Sequence, residues 1–218
     1  MTATGNGRRH RLEGEVDFTL MYAAHDAFHR DLQRLAAAID AGRAAEPSVR
    51  AGWQTFKEQL HIHHTAEDVS IWPALRAKVT MPGHVAVLDA MEAEHARIDP
   101  LLGAVDSCLA AAGQAGLADT ADGLAAALAA HMEHEEDQAL PLVETFLGPA
   151  GWAAFAQEMR KTQGLRGAAE FFPWMLDDAP RAIRKRVLGL LPPPARLLYR
   201  AVWAPGYART PRWDTATT

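Results

Sequence analysis

A chain of 218 residues that is 49% apolar is long enough to bury one sizeable core. Its net charge of −5 divides unevenly: residues 1–149 carry 11 Lys and Arg against 22 Asp and Glu, whereas residues 150–218 carry 11 against 5. The acidic body argues against nucleic acid as a partner, because a binding face would need clustered Lys and Arg to neutralise phosphates, and the single cysteine, Cys108, excludes an internal disulfide.

Residues 1–15 read as a flexible N-terminus, with His10 among them, and place Arg and Glu where a signal peptide needs an apolar run. No apolar stretch reaches the length of a membrane span, so a cytoplasmic chain is expected. From Val16 to Ala41 the apolar residues Met21, Ala24, Phe28, Leu32 and Leu35 recur at helical spacing, and Gly42 and Pro47 end the pattern. A second helix is predicted from Ser48, read as its N-cap, to Val79, with Pro73 as a kink or interruption. A third spans His84 to Ala112, closed by the stretch from Gly113 to Gly116, and a fourth spans Ala118 to Phe146.

Short connections between four long helices imply an all-α, antiparallel up-down four-helix bundle over residues 16–148. Residues 149–218 read as a helical, Pro-rich, basic C-terminal extension of two to four short helices. Its apolar and basic segments could lie on a membrane surface. The expected role is instead packing across the bundle or against a second copy, the latter alternative giving a homodimer through the extension, and membrane contact is not expected.

The ten histidines matter by position rather than number. The second helix carries His63-x-x-x-Glu67-Asp68 with Pro73 six residues after the glutamate, and the fourth repeats this 68 residues later as His131-x-x-x-Glu135-Glu136 with Pro141. Met21 and His25 on the first helix recur 70 residues later as Met91 and His95 on the third. Such a duplication brings one histidine from each helix, and a glutamate from two of them, to one level of the core. Residues four apart share a helix face, so His63 with Glu67 and His131 with Glu135 each present an imidazole and a carboxylate inward. Four imidazoles and two carboxylates form a mixed set that suits two iron ions bridged by carboxylate, with open coordination positions. In the repeated motifs the histidine precedes the glutamate by four residues, an order that tells against the Glu-x-x-His pairs of ferritin-like oxidases.

These residues resemble the hemerythrin-like, HHE cation-binding domain over roughly residues 18 to 146. The resemblance implies His25, His63, Glu67, His95, His131 and Glu135 as ligands of two Fe ions bridged by oxo or hydroxo and by both glutamates. Zinc is the expected substitute. It further implies a protein that binds or reacts with dioxygen or hydrogen peroxide, either as a catalase-like oxidoreductase or as an oxygen or iron sensor or store without turnover. Oxygen-carrying members of that family have a second histidine one turn before the one on the third helix, where this chain has Met91, and that difference speaks against reversible oxygen carriage. Of the remaining histidines, His61 and His64 are expected to face solvent or to pair with acids such as Asp68. His29 and His134 are expected beside the ligands, and His84 too far along the bundle to join them. For Glu94, Glu133, Tyr22 and Met91 the expectation is surface or packing.

Overall fold

The computed structural model describes residues 14–111 and 115–213; His10 and Gly113 lie outside them. Four long helices form the bundle: α1 (Thr19–Asp40), α2 (Pro47–Ala66), α3 (Pro82–Ala110) and α4 (Leu117–His134). No strand occurs among the described residues. Helices α2 and α3 start on Pro47 and Pro82 as first helical residues, where the missing N–H has no partner to lose and the fixed φ favours the helix. Ser48 is therefore not the N-cap of α2; Glu46 takes that place.

The stripes predicted from spacing form the core. Phe28 and Leu35 of α1, Phe56 and Leu60 of α2, Val105 of α3 and Leu124 and Leu128 of α4 are fully buried in one apolar layer. A second layer at the opposite end gathers Met21, Ile71, Trp72, Leu88, Met91 and Leu140. Between the two layers the same helix faces continue as His25, His63, Glu67, His95, His131 and Glu135, all of them buried. The inward stripe thus changes from apolar to ligand chemistry halfway along the bundle.

Pro73 neither ends nor kinks the second helix. A five-residue π-helical turn, Glu67–Ile71, follows α2, and the Trp72 N–H closes it on the Glu67 carbonyl before the helix resumes as Trp72–Arg76. The fourth helix does the same: a π turn at Glu135–Ala139, closed by the Leu140 N–H on the Glu135 carbonyl, precedes Leu140–Leu142 and Pro141. A proline ring collides with the carbonyl four residues back in a regular α-helix. The wider turn removes that collision, so each proline of the repeated motif explains the π turn before it, and each turn begins on a glutamate of the set.

The extension begins with helix α5 (Gly148–Leu176), which is kinked into two helices where the apolar pattern breaks: Gly164, at φ 60° and ψ −168°, takes a non-helical conformation open to glycine. Helix α6 (Arg181–Leu190) and α7 (Pro193–Leu198) follow, and α7 continues through a π turn into Ala204–Ala208. Trp174 of α5 is fully buried against the bundle and donates its indole N–H to Asp31 Oδ2 at 2.7 Å. Arg30 donates to the Trp174 and Asp177 carbonyls, and Trp213 lies against Gly52 while its N–H bonds the Ser48 carbonyl. These contacts fix the extension along α1 and α2.

Candidate metal centre

Two groups of buried donors meet at mid-bundle: His25, His63 and Glu135 in one, His64, Glu67, His95 and His131 in the other, with the donor atoms of each group within 4.8 Å of one another. His25 Nε2 lies 3.3 Å from His63 Nε2 and 3.2 Å from Glu135 Oε2. In the second group His95 Nε2 and His131 Nε2 are 3.1 Å apart. Glu67 spans the two, with Oε1 3.1 Å from His63 Nε2 and Oε2 3.5 Å from His95 Nε2.

The outer ring nitrogens turn away from this centre onto carboxylates. His25 Nδ1 is 2.8 Å from Glu136 Oε1, His95 Nδ1 is 2.9 Å from Asp68 Oδ1 and His131 Nδ1 is 3.0 Å from Glu94 Oε2. A proton held at each Nδ1 leaves the Nε2 lone pair facing inward, the tautomer a metal requires. The residue after each glutamate in the repeated motif therefore serves the helix across from it: Glu136 of the fourth helix orients His25 of the first, and Asp68 of the second orients His95 of the third. Glu94, expected at the surface, is instead mostly buried and holds both His131 and, at 2.9 Å, His134 Nδ1. His134 stands outside both groups, at the solvent edge of this network.

His64 corrects the sequence reading most clearly. It faces neither solvent nor Asp68; it is buried, its ring stacked on His95 with centroids 3.9 Å apart and nearly coplanar. Its Nε2 has no hydrogen-bond partner among the described residues, and the buried carboxylates of Glu67 and Glu135 meet ring nitrogens of the same set, those of His63 and His95 and that of His25. The signal was present: His64 lies four residues after Leu60 and three before Glu67, on the inward stripe of α2.

Burial and mutual contact pull the groups of the centre in opposite directions. Burial works against a charged ring, but hydrogen bonds donated to Glu135 and Glu136 outweigh it and lift His25 to about 9. Burial and the neighbouring His25 charge push His63 down to about 3, and burial drives His64 well below the ordinary imidazole range. Burial, with Glu135 close by, holds Glu67 well above the usual carboxylate range. Glu135 is also opposed by burial, yet contact with His25 brings it down to about 2. Unpartnered buried donors of this kind are costly in an apolar interior unless something satisfies them. Five imidazoles and two carboxylates with lone pairs facing inward fit divalent cations, and the set suits iron or zinc better than the oxygen-seeking magnesium or calcium.

Residues 16–143 match the family model described as the hemerythrin HHE cation binding domain. No curated protein and no solved structure matches the chain. No helix among the described residues is long and apolar enough to cross a membrane.

Proposed function

This chain belongs to the hemerythrin HHE cation-binding domain family, and on that premise we propose that it holds two iron ions and uses them on dioxygen or hydrogen peroxide, with peroxide breakdown as its enzymatic form. The observation that carries the reading is Glu67, which turns one oxygen toward His63 and the other toward His95 and so faces both donor groups at once. A carboxylate so placed could serve both members of a pair of ions. His25, His63 and Glu135 would hold one ion and His64, Glu67, His95 and His131 the other.

Bound iron supplies a centre that cycles between ferrous and ferric states and leaves positions open to a small oxidant. The protein's part is positioning and protection. Carboxylates at Glu136, Asp68 and Glu94 fix three imidazole rings, and the apolar layers above and below exclude bulk water. His134 and Glu94 form a hydrogen-bonded pair from the solvent edge inward, able to hold a proton at His134 Nδ1.

Metal content of the purified protein, followed by the optical spectrum as anaerobic ferrous protein meets oxygen and then peroxide, tests the reading. Two irons per chain, an oxo-bridged ferric band and gas evolved from repeated peroxide additions support it; failure to take up iron by any route ends it. A second reading, an oxygen or iron sensor without turnover, draws on the same unpartnered groups, because metal loading then governs how tightly the bundle holds together. Iron uptake with a change in stability and no gas evolution selects that reading.

A further inference from the structure

Between the bundle and the extension lies a cavity of about 550 Å³, the size of a small-molecule site. Met21, Ala24 and His63 form its bundle side, and Trp152, Phe171 and Trp203 belong to the extension side. In a body with twice as many acids as bases, no Asp or Glu lines it among the described residues. Arg160 is the charged side chain of the lining, with the Gln163 amide three residues on along the same helix face. Helix α5 breaks at Gly164 where it passes the cavity.

We propose that this cavity binds a fatty-carboxylate monoanion, its chain against the apolar walls and its carboxylate on Arg160. The volume exceeds what a diatomic gas or a few waters need, and the apolar walls would leave water poorly bonded. An extended peptide would bring unpaired backbone N–H and C=O groups against apolar walls. A neutral hydrocarbon would leave Arg160 unused, whereas its planar fork matches a carboxylate in two parallel hydrogen bonds. His63 is both a wall of the cavity and a member of the metal centre, so one imidazole separates the occupant from the metal pair. Occupancy is therefore read out at the centre as well as in the cavity. Binding in the cavity rests on the proposed metal centre only through His63, because Arg160 and the other walls lie outside the metal-holding groups.

Calorimetric titration of the full chain with decanoate and with decanol, in metal-free and in iron-loaded protein, tests it. Decanoate is expected to bind one site per chain in both forms, and to shift the visible spectrum of the iron-loaded one. Arg160→Gln, at an exposed position, should weaken decanoate about tenfold and leave decanol unchanged, as loss of one charge-assisted contact predicts. Ala156→Trp should fill the cavity and abolish both. Absence of decanoate binding to the wild-type chain, equal binding of decanoate and decanol, or binding indifferent to Arg160→Gln overturns the proposal. Should Ala156→Trp fail to fold, the Arg160→Gln comparison decides alone. Failure of iron uptake leaves the metal-free titration standing, so the two readings fall separately.

Discussion

His64 and His61 sit on one helix three residues apart, and the contrast between them tests what makes a ligand. His64 is buried with its Nε2 aimed among Glu67, His95 and His131, while His61 is exposed. His64→Ala is expected to lower metal content from two ions toward one per chain, measured by elemental analysis, and His61→Ala to change nothing; equal metal content in both variants would remove His64 from the coordination set. Protons at the same residues make a second prediction. Imidazole binds metal in its neutral form, and in the metal-free chain His25, lifted to about 9 by Glu135 and Glu136 against the effect of burial, still carries a proton at pH 7. Glu67 is shifted the same way, held well above the usual carboxylate range mainly by burial. Metal must displace the His25 proton, so affinity rises with pH through neutrality toward 9, and loading in weak buffer at pH 7 acidifies the solution. A competition titration with affinity flat between pH 6 and 8 would contradict this.

The repeat of His-x-x-x-Glu-acid-Pro is legible in the sequence because i and i+4 residues share a helix face. The helix pairs, their order and the level of the site follow from the same periodicity. What spacing within one helix does not carry is the partner across the bundle. Asp68 and Glu136 look like ordinary surface acids after a ligand, yet each bonds a histidine of another helix. Pro73 reads as an interruption of an α-helix, but the π turns before Pro73 and Pro141 depend on the carbonyl geometry one turn earlier. The break at Gly164 is legible as well, because the residue that interrupts the apolar pattern is the one that leaves the helical conformation. Asp68→Asn and Glu136→Gln keep the shape and hydrogen-bonding capacity of the side chain but remove its charge. Each is expected to weaken metal binding about 10–100-fold without unfolding the bundle, as loss of a carboxylate behind a ligating histidine does elsewhere. A chelator competition assay with circular dichroism as the control reads both quantities, and unchanged affinity in both variants would show that these contacts only pack the helices.

At the scale of the whole molecule, two apolar layers enclose a polar one, and the extension is pinned along α1 by Trp174 on Asp31 and by Arg34 paired with Asp177 and Asp178. The polar layer is the weak point of the metal-free fold. The His64 nitrogen is buried without a partner among the described residues and opposes folding by about 1–3 kcal/mol, and the carboxylates of Glu67 and Glu135 are buried close together at the same level. Metal reverses the sign. An ion that binds the folded chain and not the unfolded one stabilises it by about 4 kcal/mol when present at a thousand times its Kd. For a chain of this length that corresponds to a rise of about 8–16 °C in Tm for one ion. Stripping the protein with a chelator should therefore lower Tm by at least that amount, and readdition of iron should restore it. His64→Ala should narrow the gap from both directions, because it removes an unpartnered buried nitrogen from the metal-free form and a ligand from the loaded one. A Tm that does not move on chelation would mean that the buried donors are satisfied without metal, and would take away the physical basis for reading the centre as a metal site.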